Sequence, residues 1–402
     1  IYIGTRMTDK KNILFLTARP PWPLFGGDRV KPYYLLKHLG KHHNVHLVSF
    51  HIGTHGMDEA KKELEKLGIN VHFIVISKVK RALEILPKIP GKFPLEILFF
   101  HEKTYFNKVK QLIDSIDFNL GFSFFMRTAE YLKNQGFPKV LIAEDCRVIY
   151  QKRSFEETKQ PIQKLVRWWE YKKLSSYEPQ IVDSFDLTTF VSEEDISNMK
   201  KQNSNHEYRL LTNGTNTEQF VPNDNSKRKG LLFSGRMDVW ANQLMVKRIT
   251  ENILPEILKS KPESRLMLVG AWMPDWIRNL KSDSIEIHED VPSMVPYLQK
   301  AELFIHPHSG GSGIQNKLLE AMACECPVVT TVTGNQGIHG IDGTHLMIGQ
   351  NDNELAQKSI VLLNNKDKAD EIGKNARQLI LDTNSWDAVY KALDSIIEDY
   401  SS

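Results

Sequence analysis

Short apolar runs alternate with helical patterns from the start of the chain to its end. In the first half, runs rich in β-branched and aromatic residues predict buried strands at 12–18, 45–50, 69–76, 139–145 and 186–192. Helical patterns at 30–43 and 57–68 separate the first three strands. Strands that alternate with helices are typical of βαβ units, so the first half is predicted to form a parallel sheet covered by helices.

A polar, asparagine-rich stretch at 200–229 interrupts this alternation. Its turn signals and basic run are typical of a connection between domains. The strand pattern then restarts, with runs at 230–235, 265–270, 285–291, 301–307 and 327–332. Ligands of open parallel sheets bind beyond the carboxyl ends of the strands. We therefore expect two αβα domains that face each other across a cleft, where the chemistry takes place.

Length and composition agree with two soluble domains. The chain has 402 residues, which is too long for one ordinary core, and its net charge is only +3, so a nucleic-acid partner is not expected. Three cysteines are too few for a disulfide framework and are typical of a reducing compartment. No secretory signal and no apolar run of about 18 residues is recognised. We expect a cytoplasmic protein, whose membrane contact is peripheral and lies at the inner face of the cell membrane.

The segment GGSGIQNKLLEAMACECPVVTT at 310–331 is the strongest candidate for a binding site. A strand ends at Pro307, a glycine-rich turn follows, and a helix is predicted to begin near Ile314. Free N–H groups at a helix start attract anions, and glycines allow a diphosphate to approach the backbone. Lys317 and Glu320 lie three residues apart and share a helix face, which suits a phosphate and a ribose hydroxyl. From the spacing alone, a packed corner with an exposed ion pair fits equally well.

The same segment resembles the C-terminal signature of retaining family 4 glycosyltransferases, and in particular a subgroup of sugar transferases with GSG followed by KxLEAMA. The resemblance implies an α/β GT-B fold with two Rossmann-like αβα domains facing an interdomain cleft. It implies that Glu320 binds the nucleotide ribose and that a diphosphate is held by the backbone around four residues, Ser312, Gly313, Ile314 and Gln315. Ser312 stands where the wider family often has a first glutamate, so the role of that acid does not carry over.

Other motifs extend the resemblance over most of the chain. Gly26 and Gly27, in the stretch RPPWPLFGGDRVK, match the glycine pair after the family's first strand and would let the backbone approach the donor phosphates or the acceptor. In LLFSGRMDVWANQ, Gly235 and Arg236 match the turn that holds the diphosphate. Ala241 stands where the family often has a lysine, and Lys317 is a cation that could replace it. A mobile surface turn and a surface ion pair are the structural alternatives for these motifs.

The first domain of the family supplies a histidine near the reacting sugar, and this chain has none at the matching place. The strand end VLIAEDCR offers Asp145, with Glu144 beside it, as the carboxylate that contacts a sugar hydroxyl or stabilises positive charge on the sugar. An acid that only caps the next segment is the alternative. His306 and His308 flank Pro307 and are further candidates, although a lone histidine is more often structural.

The resemblance implies a nucleoside-diphosphate sugar, expected to be uridine-linked, as the donor and no other cofactor. The sequence has no Asp-x-Asp signature in a position that would suggest a bound divalent cation. Arg236, Lys317 and the helix dipole could neutralise the leaving diphosphate, so no metal is expected.

Two basic and apolar segments bear on the acceptor side. The segment at 77–93 mixes five Lys or Arg residues with Leu and Ile, and the segment at 163–174 adds two tryptophans. Either could lie on an anionic membrane surface, or could cover the first domain's core with a solvated basic face.

These observations predict a retaining glycosyltransferase of the hexosyltransferase type that acts in polysaccharide biosynthesis. The acceptor is expected to be a glycan, a lipid-linked molecule or another cell-envelope component. The resemblance divides the chain into an acceptor-side domain at 7–205, a nucleotide-sugar-binding domain at 206–384 and a final helix at 385–402 that packs back on the first domain. A sugar-nucleotide epimerase of the same fold, a non-catalytic sugar-nucleotide-binding protein and a structural membrane-surface module remain as alternatives.

Overall fold

The protein is described by a computed structural model that covers residues 10–24, 27–158, 160–223, 228–309 and 314–401. The chain forms two compact units. The first unit contains the described residues up to Leu211 together with those from Tyr390 onward, and the second contains Thr212–Val389.

Within the described residues, the first unit is built on a parallel sheet of seven strands in the order β3-β2-β1-β4-β5-β6-β7. The strands are β1 (Asn12–Thr17), β2 (Asn44–Ile52), β3 (Asn70–Ile76), β4 (Leu120–Phe124), β5 (Lys139–Glu144), β6 (Leu187–Phe190) and β7 (Tyr208–Leu210). The central strands are almost uninterrupted apolar runs, because helices cover both faces of the sheet.

The helices of the first unit lie between these strands. They are α1 (Gly27–His42), α2 (Met57–Glu65), α3 (Lys78–Ile85), α4 (Leu95–Phe100), α5 (Lys103–Ser115), α6 (Arg147–Glu157), α7 (Pro161–Val182) and α8 (Glu193–Lys200). Short 3₁₀ turns occupy Leu86–Lys88 and Met126–Tyr131. Buried aromatic side chains such as Phe50, Tyr105 and Tyr131 pack between the sheet and these helices.

The second unit is a parallel sheet of six strands in the order β10-β9-β8-β11-β12-β13 over its described residues. The strands are β8 (Leu231–Arg236), β9 (Leu266–Ala271), β10 (Ile285–Glu289), β11 (Leu303–His306), β12 (Val328–Thr331) and β13 (Met347–Gly349). The helices are α9 (Trp240–Arg248), α10 (Leu254–Ser260), α11 (Asp275–Arg278), α12 (Val295–Lys300), α13 (Asn316–Ala323), α14 (Asp352–Asn364) and α15 (Lys366–Thr383). A π-helical turn at Ile249–Ile253 joins α9 to α10.

The last helix, α16 (Trp386–Tyr400), begins in the second unit and continues in the first. In the first unit, His38 contacts Asp394 at 2.7 Å and stacks on Tyr390 with 4.2 Å between the ring centroids. Tyr400 donates a hydrogen bond of 2.6 Å to Glu207. These contacts fix the end of the chain on the first sheet and its first helix.

The predicted α/β class with two parallel sheets is confirmed, and three strands were not predicted. β4 contains Gly121 and Ser123, which weaken a strand pattern. β7 and β13 have three residues each, too few for a periodic signal, and β7 lies inside the stretch that looked like a linker. Each is defined by pairing with a neighbouring strand, which a local pattern does not contain.

Candidate functional site

The second sheet reverses its direction of winding between β8 and β11, which are neighbours in space but distant in sequence. Ligands of open parallel sheets bind beyond the carboxyl ends of the strands at such a reversal. The carboxyl end of β8 carries Gly235 and Arg236, and α13, which follows β11 after a connecting loop, carries Lys317 and Glu320. The structure therefore brings these four predicted residues to the same region of the second unit.

Gly235 makes room for the side chains that surround it. A Cβ atom at this position would lie 2.8 Å from Nζ of Lys317 and 2.9 Å from Nδ2 of Asn242. Lys317 donates a hydrogen bond of 2.8 Å to Oδ1 of Asn242, and its Nζ lies 5.1 Å from the ring centroid of Phe233. The side chain of Asn242 in turn donates to the carbonyl of Arg236 at 2.8 Å. The absence of a side chain at Gly235 thus leaves space for the side chains of Lys317 and Asn242. Asn242 is a site residue that was not predicted from the sequence.

Lys317 and Glu320 are half-buried and are not joined as an ion pair. Among the described residues, no contact within 4.0 Å links the two charges, and the Glu320 carboxylate has no hydrogen-bond partner. Burial lowers the pKa of Lys317 to about 8, partly offset by Glu320. Burial raises the pKa of Glu320 to about 7, partly offset by Lys317. A half-buried carboxylate that has no hydrogen-bond partner among the described residues is typical of a binding or catalytic site, whereas an exposed ion pair is not.

We expect Glu320→Gln to change the pH dependence of stability. The folded protein retains the Glu320 proton up to about pH 7, whereas an unfolded chain loses it near 4.5. The stabilisation from this group is fully present below pH 4.5 and is lost as the pH rises through 7. Between about pH 5 and 7, the free energy of unfolding of the wild type should fall relative to Glu320→Gln, by on the order of 1–3 kcal/mol. Urea denaturation measures this difference, and parallel pH profiles would contradict the raised pKa.

Arg236 lies at the exposed end of β8. Its guanidinium pairs with Asp238 at 2.7 Å and lies 4.3 Å from the ring centroid of Trp272. The side chain is 55% exposed, so it can reach a ligand beyond the strand ends. The pair with Asp238 is a surface interaction of small energy and would not prevent such a contact.

The predicted diphosphate loop is described only in part. Ser312 and Gly313 lie outside the described residues. The side chain of Ile314 is buried, and Gln315 precedes the first residue of α13. The Ile314 side chain therefore belongs to the core, and a contact of Ile314 with a ligand would have to use its backbone.

The two histidines beside the loop are interior residues. His306 is fully buried, and its Nδ1 lies 3.3 Å from the Thr330 hydroxyl. Burial and the nearby Lys317 hold the pKa of His306 well below its usual range, so the ring is neutral. The carbonyl of His308 accepts a hydrogen bond of 2.5 Å from Thr331. These contacts join the ends of β11 and β12 and favour a structural role for both histidines.

In the first unit, Glu144 ends β5 in a left-handed conformation with φ of 72°. Lys31 of α1 donates to its carboxylate at 2.5 Å and to the carbonyl of Leu211 at 2.7 Å. Burial raises the pKa of Glu144, and Lys31 opposes that rise. Lys31 could not be predicted as a site residue from local pattern, because its partners are 113 and 180 residues away.

Asp145 follows directly and lies next to the start of α6. Its carboxylate is 3.5 Å from Arg147, which also contacts Glu96 at 3.3 Å. Glu178 already accepts hydrogen bonds from the first N–H groups of α6, those of Arg147 and Val148. Glu178 therefore caps this helix, and the role of Asp145 stays a prediction.

The remaining predicted features are placed as follows. Gly26 lies outside the described residues, and Gly27 is the first residue of α1. In the segment at 77–93, Arg81 is buried and bonds to Glu84, Glu102 and three backbone carbonyls.

Within the described part of the chain, no group of three or more His, Cys, Asp or Glu side chains is placed to hold a metal ion. None of the described helices is both long enough and apolar enough to cross a bilayer.

Comparison with known proteins found a family match within the second unit. Residues 228–365 match the family described as "Glycosyl transferases group 1". The chain is also 23% identical over 370 residues to an uncharacterized 44.6 kDa protein in the cps region of Klebsiella pneumoniae, covering 87% of this chain and 90% of that protein. The matched family region contains Gly235, Arg236, Lys317 and Glu320, so the polar cluster at the strand ends lies within it.

Solved structures share the fold over the whole chain. Sucrose-phosphate synthase from Thermosynechococcus elongatus has a TM-score of 0.70 at 16% identity, covering 97% of this chain and 99% of that one. HepE from Anabaena, solved in complex with UDP, has a TM-score of 0.67 at 13% identity, covering 97% and 100%. The fold is α/β with two Rossmann-like domains, as in glycosyltransferases of the GT-B class.

Proposed function

We propose that this protein is a retaining glycosyltransferase that transfers a sugar from a nucleoside-diphosphate sugar to a glycan, lipid-linked or other cell-envelope acceptor. The observation that carries the proposal is the arrangement of Lys317 and Glu320 at the strand ends of the second unit, in the region that matches the glycosyltransferase family. The two charges are half-buried and do not form an ion pair with each other. UDP bound to HepE supports a uridine-linked donor.

In the proposed reaction, Lys317 and Arg236 hold the diphosphate, and Glu320 accepts a hydrogen bond from a ribose hydroxyl. The bond between the anomeric carbon and the phosphate oxygen breaks, and a bond to the acceptor oxygen forms on the same face. The acceptor hydroxyl proton passes to the leaving phosphate. The two cations stabilise the negative charge that develops there, which we propose is sufficient without a metal.

A thermal-shift screen against UDP-, GDP-, ADP- and dTDP-sugars tests this proposal. A donor should raise the melting temperature, because a ligand that binds only the folded state stabilises it. The stabilising donor is then incubated with candidate acceptors, and release of the free nucleoside diphosphate is measured. Conversion of the donor to an epimer without release would favour the epimerase alternative. Absence of any stabilising sugar nucleotide would refute the proposed function.

We expect Asp145→Ala to reduce turnover more than donor binding. We propose that Asp145 contacts the acceptor or the reacting sugar, and its loss should lower kcat by about 10²- to 10³-fold, the range found when one stabilising group is removed. The affinity for the donor, measured by calorimetry, should change less than about threefold. Asp183→Ala is the control, because Asp183 is an exposed residue just after α7 whose side chain accepts a hydrogen bond from Asn203. Wild-type turnover in Asp145→Ala would show that Asp145 is structural.

We also propose that α3 and the turn after it contact the inner face of the membrane. Val79, Leu83 and Leu86 recur at helical spacing and are 72%, 64% and 57% exposed. Exposed lysines surround them, at positions 78, 80, 88 and 92. An apolar strip between cations suits an anionic lipid surface.

Leu83→Asp is expected to weaken binding to vesicles that contain phosphatidylglycerol by more than fivefold, because it places a negative charge in the apolar strip. Sedimentation with these vesicles and with pure phosphatidylcholine measures the effect. Val361→Asp, an exposed valine on α14 of the second unit, is the control. Equal binding of the wild type and Leu83→Asp would contradict this membrane contact.

A further inference from the structure

Trp272 combines two unfavourable features at the carboxyl end of β9. Its backbone is left-handed, with φ of 53°, a conformation that is rare for bulky residues and costs about 1–3 kcal/mol. Its side chain is nevertheless 56% exposed. The next residue, Met273, is 2% exposed and supplies the packing at this corner. Trp272 therefore contributes little to the core, and glycine would fit its backbone better.

The position of Trp272 links it to the proposed donor site. In the pairing of β8 with β9, Arg236 lies opposite Ala271, the residue before Trp272. The Arg236 guanidinium lies 4.3 Å from the ring centroid of Trp272. Gly235 lies beside Nζ of Lys317, as described above. The indole and the guanidinium thus lie together at the carboxyl ends of β9 and β8, and Arg236 directly follows the glycine that makes room for Lys317.

A nucleoside diphosphate carries an anionic diphosphate and a flat nucleobase, which match the guanidinium and the indole. Cations suit the diphosphate, and an exposed aromatic ring suits a nucleobase, which has a flat π-face and stacks on aromatic residues. Trp272 retains 56% of its surface although Arg236 lies over the ring, so an area remains for stacking. Arg236 contacts the indole directly, so a diphosphate held by Arg236 would place the attached base near the ring.

We propose that Trp272 is the platform on which the nucleobase of the donor stacks. This inference rests on the proposed function, since it assigns one end of the same donor site. It explains why a strained and exposed tryptophan follows β9 where glycine would relieve the backbone.

Isothermal titration calorimetry of the full-length protein tests the proposal. Each ligand is titrated separately: the nucleotides UDP, GDP, ADP, CDP and dTDP, and pyrophosphate. Pyrophosphate contains the diphosphate group but no base and no ribose. Trp272→Gly should weaken binding of the preferred nucleoside diphosphate by about tenfold, since stacking on one base is worth about 1–3 kcal/mol. Its affinity for pyrophosphate should stay within about twofold of the wild type. Trp272→Phe, which retains an aromatic ring, should recover most of the lost affinity.

Two controls separate binding from folding. Trp168→Gly removes a tryptophan that is 42% exposed in the first unit and should leave nucleotide binding unchanged. Trp272→Gly should melt at the same or a higher temperature than the wild type, because it relieves the left-handed backbone. A lower melting temperature together with equal losses for nucleotide and pyrophosphate would show a structural role and overturn the inference.

The remaining outcomes are also decisive. If the wild type binds a nucleoside diphosphate and Trp272→Gly binds it equally well, the inference is wrong and the proposed function stands. If the wild type binds no nucleoside diphosphate, both the inference and the proposed function fail.

Discussion

Lys317→Ala is expected to lower the affinity for the donor nucleotide by about 10- to 100-fold, because hydrogen bonds to charged groups contribute about 1.5–3 kcal/mol. Lys317 is half-buried and reaches Asn242 at 2.8 Å, so it meets a diphosphate with few competing water molecules. Turnover should fall as well, since the same ammonium stabilises the departing phosphate. Calorimetry with UDP and with pyrophosphate measures binding, and the loss should be similar for both ligands.

Lys259→Ala is the matched control for this variant. Lys259 lies in the same unit and forms an exposed pair with Glu256 at a spacing of three residues. Its removal should leave nucleotide affinity unchanged. Because the pKa of Lys317 is lowered to about 8, its charge is costly in the free protein, so Lys317→Ala should not unfold the second unit. Unchanged nucleotide affinity in a folded Lys317→Ala protein would show that the diphosphate does not bind at Lys317.

Glu320→Ala is expected to weaken UDP binding by about tenfold and to leave pyrophosphate binding nearly unchanged. The reason is that Glu320 is assigned to a ribose hydroxyl, which pyrophosphate lacks. A hydrogen bond from a hydroxyl to a charged carboxylate accounts for about 1.5 kcal/mol, close to a factor of ten. The effect should be larger at pH 8 than at pH 6, because the pKa of Glu320 is raised to about 7 and the carboxylate is mostly neutral at the lower pH.

Glu256→Ala serves as the control for an exposed glutamate at the same spacing from a lysine. Equal losses of UDP and pyrophosphate affinity in Glu320→Ala would show that Glu320 acts only through Lys317. A loss confined to UDP at pH 8 would support the ribose assignment. The two glutamate variants, measured side by side, distinguish a local electrostatic effect from a specific contact.

The sequence predicted the class of fold and most of the central strands, because each is a continuous apolar run of adequate length. It failed at β4, where Gly121 and Ser123 weaken the strand pattern, and at β7 and β13, whose three residues are strands only because a longer neighbour pairs with them. The start of α13 was predicted near Ile314 and lies at Asn316, a difference within the usual uncertainty of a helix end. Local pattern was therefore sufficient where a strand is a continuous apolar run, and insufficient where small or polar residues interrupt the run or the strand is very short.

The candidate site divides in the same way. Lys317 and Glu320 share a helix face, which spacing alone establishes. The structure shows two half-buried charges and no exposed ion pair. This outcome depends on Gly235 and Asn242, which lie on other elements and surround the Lys317 side chain. The contact of Lys31 with Glu144 and the exposed ring of Trp272 next to Arg236 have no signature in the sequence.

By itself, the sequence determined that this protein has two parallel α/β sheets and that a glycine-rich turn precedes a helix with one cation and one carboxylate. The tertiary structure decided which residues gather at the strand ends, and how far each charge is removed from water. Periodicity along a chain encodes burial and the direction of a side chain within its own element. Partners and pKa values depend on contacts between residues that are distant in sequence, and those contacts exist only after the sheets have formed.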